Sequence, residues 1–194
     1  TDAAGTNDGT LQGDAAIVAD ADRGQVLELD GSGDYVSSAP GGLNVTDTIT
    51  LAAWINPEAT DGLRNIIVRG HHSSPKGEVY LRIANGNYEV GSWNGSPHKT
   101  SAAMPAGDVG QWVHLAGVYD GTHWRLYRNG VEVASQQEAT GAVAVATGWA
   151  IGARATGTER FFQGRVDDAR VYSDGLTAAE VHARLLAHVD RQKG

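Results

Sequence analysis

Two stretches of this chain carry residue types that could do chemistry. The first is the run Phe161-Phe162-Gln163-Gly164-Arg165-Val166-Asp167-Asp168-Ala169-Arg170-Val171-Tyr172, with its adjacent carboxylates. Two carboxylates can cleave a glycosidic bond when they face each other across it, about 5–5.5 Å apart for retention or about 6.5–9.5 Å for inversion. Neighbours on a strand point to opposite faces, so Asp167 and Asp168 cannot form that pair. What remains for them is an ion, or an ion pair with Arg165 or Arg170. The second stretch is Tyr80–His98. Sugar recognition needs a flat aromatic ring against the apolar C–H face of a pyranose, with donors and acceptors beside it for the hydroxyls. Tyr80, Arg82, Trp93 and His98 provide that set, with His71 and His72 from a neighbouring loop and Arg69 and Arg154 at the rim. For a uronic or sulfated sugar, Arg82, Lys99 and Arg154 would be the partners.

Bulk properties narrow the field. A chain of 194 residues builds one sizeable domain, and the expectation is a single domain over 1–194. A formal net charge of −8 excludes the Lys/Arg density that neutralising nucleic-acid phosphates requires. It also disfavours an anionic membrane surface. The absence of cysteine removes disulfides, thiolate metal sites and cysteine nucleophiles. No apolar run reaches the roughly 18 residues that span a bilayer, so no membrane insertion is expected. Thr1-Asp2-Ala3 has no signal-peptide pattern, and any export signal would lie outside the sequence. The seven histidines do not fall at metal-ligand spacings.

These residues must be positioned by strands. Glycine is frequent, at 26 of 194 residues, and β-branched segments recur every eight to twelve residues with turn signals between them. Strands are predicted near 15–18, 25–30, 33–37, 48–56, 64–69, 77–84, 87–93, 98–103, 111–119, 123–128, 131–137, 147–153 and 161–172. Asn85-Gly86 is the strongest short hairpin signal, because a type I′ turn needs φ > 0 at both central positions. Folding there pairs Ala84 with Asn87, Ile83 with Tyr88, Arg82 with Glu89, Leu81 with Val90 and Tyr80 with Gly91. Ile83, Tyr88, Leu81 and Val90 then share one face, with Arg82, Glu89, Tyr80 and Trp93 on or near the other. A second hairpin at Asn129-Gly130 opposes Leu126 with Val133 and Tyr127 with Glu132. One helix is predicted: Thr177 and Glu180 form a capping box, Leu176 and Val181 a hydrophobic staple, and Val181, Leu185 and Val189 an apolar stripe.

Taken in order, Leu27–Val36 with its Asp-Gly-Ser-Gly-Asp-Tyr core, Ile49–Ile55, Gly110–Gly121, Arg125–Gly130, Ile151-Gly152-Ala153 and Gly164–Tyr172 resemble the laminin-G-like jelly rolls of the concanavalin A-like lectin/glucanase superfamily. The fold implied is all-β, a two-sheet antiparallel β-sandwich (jelly roll) with a short C-terminal α-helix. The resemblance also assigns Trp54 and Trp112 to packing. In the topology it implies, the turn between Asp30 and Asp34 lies beside the last strand. Oxygen ligands gathered there, from Asp30, Gly33 and Asp167 or Asp168, would suit a structural Ca²⁺, which takes 6–8 oxygens in irregular geometry. Catalytic relatives carry Glu-x-Asp-x-x-Glu on one strand. This chain has no such run, and Glu58 and Asp61 follow Pro57 at the wrong spacing. The function implied is a non-catalytic, secreted carbohydrate-binding module that takes a polysaccharide or oligosaccharide and is tethered in a larger carbohydrate-active protein. An adhesion domain that binds protein is the alternative from another class; a polysaccharide lyase or hydrolase is a third.

Overall fold

A computed structural model describes residues 7–39, 43–70 and 76–191, with side chains of the last helix described as far as Leu186. In chain order the first strands are β1 (Gly9–Gln12), β2 (Ala16–Asp20), β3 (Gly24–Asp30), β4 (Tyr35–Ser38), β5 (Ile49–Pro57), β6 (Leu63–Gly70) and β7 (Glu78–Ala84). They are followed by β8 (Asn87–Trp93), β9 (Pro97–Ala103), β10 (Val113–Tyr119), β11 (His123–Arg128), β12 (Val131–Gln137), β13 (Trp149–Ile151), β14 (Gln163–Tyr172) and the helix α1 (Ala178–Arg191). They form two seven-stranded sheets, in the orders β1-β4-β13-β6-β7-β8-β9 and β12-β11-β10-β5-β14-β3-β2. Every strand pairing is antiparallel. The expected jelly-roll sandwich and its C-terminal helix are therefore both present.

Alternation explains the core. Leu51, Ala53 and Ile55 of β5, Val79, Leu81 and Ile83 of β7, Tyr88 and Val90 of β8 and Leu115 of β10 belong to one buried cluster between the sheets. The residues between them on each strand face outwards, so each sheet also has an outer face. The hairpin register at Asn85-Gly86 runs as the turn chemistry dictates, from Ala84 opposite Asn87 to Tyr80 opposite Gly91. Both turn residues take positive φ, 48° and 76°. The second hairpin departs from expectation. Tyr127 opposes Glu132, but Leu126 opposes Ala134, because Val133 is an extra residue in a β-bulge. The bulge turns Val133 out to solvent, while Ala134 packs on the core. Strand β1 was not predicted; its pattern is exposed almost throughout, so no alternation marks it.

Helix α1 covers part of the outer face of the second sheet. Val181 packs with Ala52, Ala116, Val118 and Tyr127, and Leu176 joins them. The capping box is formed: the Thr177 amide donates to Glu180 Oε2 at 2.8 Å, and the Glu180 amide to Thr177 Oγ1 at 3.3 Å. The bonds that the Thr177 amide and hydroxyl donate to the Glu180 carboxylate hold it below its usual range. Val189 lies where no side chain is described. No helix among the described residues is long and apolar enough to cross a membrane.

Candidate functional site

The outer face of the first sheet carries a cavity of about 230 Å³ lined by Leu63, Glu78, Tyr80, Arg82, Trp93, Pro97, Arg154 and Arg160. Alternation puts Glu78, Tyr80 and Arg82 of β7 on this face, and the hairpin register sets Trp93 directly opposite Glu78. Pro97 opposes Trp93 on β9. The far wall is the loop between β13 and β14. It folds back over the sheet, with Arg154 N donating to the Glu159 carbonyl at 3.0 Å and Asn65 N to the Arg160 carbonyl at 2.9 Å. Gly157, at φ 65°, lies so close to Tyr35 that a Cβ would come within 2.4 Å of its ring; only glycine fits this fold-back. Arg160 holds a left-handed φ of 62°. That conformation costs a non-glycine residue of order 1 kcal/mol or more, and such strain gathers at ligand sites.

A chain of alternating charges runs through and beside the cavity. Lys99 binds Glu89, and Arg82 Nε and Nη2 reach the same Glu89 at 2.9 and 2.5 Å. Arg82 Nη1 lies 3.7 Å from Glu78, whose two carboxylate oxygens accept from Arg160 Nη1 at 2.8 and 3.0 Å. Arg160 Nε is 3.5 Å from Glu159, which also binds Arg154. The series therefore holds four cations against three carboxylates. Glu78 and Glu89 are buried, a placement that is stable only with such partners. The Arg82 guanidinium stands 3.8 Å over the Tyr80 ring and covers it. Tyr80 itself is buried, and its hydroxyl has no hydrogen-bond partner among the described residues. Burial pushes its phenol well above the usual range.

Of the residues expected at this site, Tyr80, Arg82, Trp93 and Arg154 come together. His98 does not. It opposes Ser92, not Trp93, so it points between the sheets, where Nδ1 meets Glu138 at 3.1 Å and Nε2 meets Asn94 at 3.1 Å. Arg69 also turns inwards, opposite the core residue Val79, and is buried. Its donors serve the Thr147 carbonyl at 2.9 Å, the Leu43 carbonyl at 3.0 Å and Asn44 Oδ1 at 2.8 Å. Rather than contacting a ligand, it ties down a loop. His71 and His72 lie outside the described residues. Glu78, Arg160, Leu63 and Pro97 were missed; of these Glu78 was readable, four residues before Arg82 and hence on the same strand face.

The five tryptophans sort cleanly. Trp124 is fully buried, and Trp149 packs against the core with Nε1 on the Leu43 carbonyl at 2.8 Å. Trp54 and Trp112 lie on the outer face of the second sheet and not in the core, half-buried, with the Arg23 guanidinium 3.8 Å and 4.8 Å above their rings. Trp93 is the tryptophan that lines the cavity.

A second cluster lies at one end of the sandwich. Carboxylate oxygens of Asp14, Asp30 and Asp34 lie within 4.8 Å of one another. Asp34 is buried and accepts from the Asp14 amide at 2.8 Å and the Asp30 amide at 3.1 Å. The Gly33 carbonyl lies beside Asp34 Oδ1, both 2.6 Å from where a Cβ on Gly13 would stand. Hydrogen bonding to Asp34, and the charges of Asp34 and Asp30, raise the Asp14 carboxyl. Of the four residues expected to hold an ion, Asp30 and Gly33 lie at this cluster, whereas Asp167 and Asp168 do not. Asp30 pairs with Gln163, four residues before Asp167, which is about 13 Å along a strand. Asp167 faces Trp54 and lies 3.5 Å from Arg23 Nε; Asp168, at φ 48° in a β-bulge that interrupts the alternation expected of the two, binds Arg170 Nε at 2.7 Å. Asp14 was missed, since only the pairing of distant segments brings it to Asp34.

Comparison with known proteins bears on the family and the fold. A family model described as the concanavalin A-like lectin/glucanases superfamily matches residues 30–182. Domain 4 of AbnA, a GH43 extracellular arabinanase from Geobacillus stearothermophilus solved with arabinotriose, superposes with a TM-score of 0.73 at 23% identity, over 90% of this chain and 86% of that one. The botulinum neurotoxin serotype G binding domain superposes with a TM-score of 0.73 at 10% identity, over 93% of this chain and 46% of that one. The binding domain of Paraclostridial Mosquitocidal Protein 1 gives 0.72 at 13% identity, over 94% of this chain and 48% of that one. This chain therefore spans about half the length of the toxin domains. No curated protein matches.

Proposed function

The chain belongs to the concanavalin A-like lectin/glucanases superfamily, and from that premise we propose that it is a non-catalytic carbohydrate-binding module of a larger, exported carbohydrate-active protein. The observation that carries this reading is the cavity on the first sheet, with Trp93 in its wall beside Arg82, Glu78, Arg154 and Arg160. A sugar ring needs that combination, an aromatic surface for its C–H face and forked donors and acceptors for its hydroxyls. Catalysis is poorly served there. Among the described residues the wall has one carboxylate, Glu78, already bound to Arg160, whereas hydrolysis with two carboxylates needs a second. The structural neighbours support a binding role, being domains of larger proteins whose names describe binding or a glycan-degrading enzyme. Arabinose oligomers belong in the first panel for that reason.

A glycan array tests this reading, run with Trp93→Ala beside the parent chain. Capture of at least one glycan is expected, and the variant should lose about tenfold or more in affinity, the worth of one stacked aromatic. Equal binding by parent and variant would remove the cavity from the proposal.

We also propose a structural Ca²⁺ at the acidic cluster. The donor set fits: three carboxylates and a backbone carbonyl are all hard oxygens. Asp14, Asp30 and Asp34 with the Gly33 carbonyl would hold the ion, and its charge would offset the mutual repulsion of the acids. The chain should then melt higher in millimolar Ca²⁺ than in EDTA. Saturation at 100-fold over Kd corresponds to about 2.7 kcal/mol. Asp34→Asn should abolish the difference. A melting temperature that ignores both calcium and EDTA would rule the ion out.

A further inference from the structure

Resting on the glycan-binding reading, we infer that the cavity takes a single neutral sugar unit at the end of a chain, in preference to an internal stretch or an acidic sugar. The first ground is size. A cavity of about 230 Å³ falls below the roughly 300–1,000 Å³ of pockets for drug-sized ligands. It offers room for about one sugar ring.

The second ground is the number of stacking surfaces. A groove for several consecutive units needs several exposed rings in a row. Among the described residues that line the cavity, Trp93 is the one ring left to stack: Tyr80 is buried, and Arg82 lies 3.8 Å over its face. Extension towards β13 and β4 is closed by the 152–160 loop, fixed by Gly157 against the Tyr35 ring and by Asn65 N on the Arg160 carbonyl at 2.9 Å. The loop delivers Arg154 and the strained Arg160 into the cavity.

The third ground is charge. Each cation near the cavity already has a carboxylate: Lys99 and Arg82 on Glu89, Arg160 on Glu78, Arg154 on Glu159. A uronic acid would bring a further negative charge beside Glu78 and Glu89, both buried in place, and would share their guanidinium donors. A neutral hydroxyl brings no charge. It both donates and accepts, so it can take a spare guanidinium N–H and give a proton to a carboxylate oxygen.

Calorimetric titration of the parent chain separates the possibilities. The ligands are methyl glycosides and oligomers up to the hexasaccharide of the arabino-, xylo-, gluco-, galacto- and manno-series, with oligogalacturonides as the acidic arm. A neutral series should bind, its methyl glycoside within about threefold of its longest oligomer, and the oligogalacturonides at least about tenfold more weakly. Affinity that climbs about tenfold with chain length would overturn single-unit recognition while leaving glycan binding intact. Preference for the oligogalacturonides would overturn the neutral-sugar assignment alone. If no sugar binds, the glycan-binding reading falls and this inference falls with it.

Discussion

Arg82→Met is expected to lower the unfolding free energy by about 3 kcal/mol and to abolish glycan capture together. Arg82 stands between two buried carboxylates, Glu89 and Glu78, which are 2% and 5% exposed. Removing one partner of a buried pair leaves a charge without compensation, and that costs about 3–5 kcal/mol. The lower end applies because Lys99 still reaches Glu89 and Arg160 still reaches Glu78. Methionine matches the aliphatic stem, so the loss reports charge and hydrogen bonding more than packing. Denaturant unfolding should show a lower midpoint at unchanged slope. Lys99→Met makes the contrast: its side chain is 40% exposed, and the change should cost no more than about 1 kcal/mol. Two variants of equal stability would mean that the ion chain does not hold the cavity.

Asp108→Ala should destabilise the chain by a similar amount, about 3 kcal/mol, with no direct contact to the cavity. Asp108 is 3% exposed and ends the 3₁₀ turn Ala106–Asp108. It accepts from Arg128 Nε at 2.7 Å, from Arg128 Nη2, and from the buried Tyr88 hydroxyl at 2.9 Å. The alanine variant leaves that hydroxyl and the guanidinium without their acceptor. Its signature is in the pH dependence. Burial alone would raise the Asp108 carboxyl, but the bonds from Arg128 and Tyr88 outweigh burial and hold it below the ordinary range. A depressed folded-state pKa gives stability that is present above the unfolded value, near 4, and lost as pH falls through the folded value. The parent chain should therefore lose stability in that acid window, and the variant should lose less. The slope will not vanish, because Asp120, bound by Arg125, is depressed as well. A variant whose acid profile parallels the parent's would show that Asp108 is not charged by this network.

Much of the fold was legible because its signals are short-range. Alternation and the Asn85-Gly86 turn fixed five consecutive cross-strand pairs of the β7–β8 hairpin, and with them the face shared by Tyr80, Arg82, Glu89 and Trp93. The capping box of α1 was readable for the same reason, since both partners lie within one turn. Reading failed wherever one extra residue or one distant pairing decides. A single inserted residue at Val133 shifts the partner of Leu126, and no local pattern announces it. His98 looked like a neighbour of Trp93 because it follows closely in sequence; the pairing of β8 with β9 put it on the other face.

By itself, then, the amino-acid sequence determined the family, the sandwich and the aromatic and basic hairpin. These follow from turn geometry and strand period, which act over a few residues. Only the tertiary structure decided which groups meet. It took Asp167 and Asp168 away from Asp30 by the register of β14 on β3, replaced them with Asp14 and Asp34, and folded the 152–160 loop over the sheet to bring Arg154 and Arg160 to Glu78. Those contacts join segments up to 82 residues apart, and one step of strand register reverses every side chain they depend on.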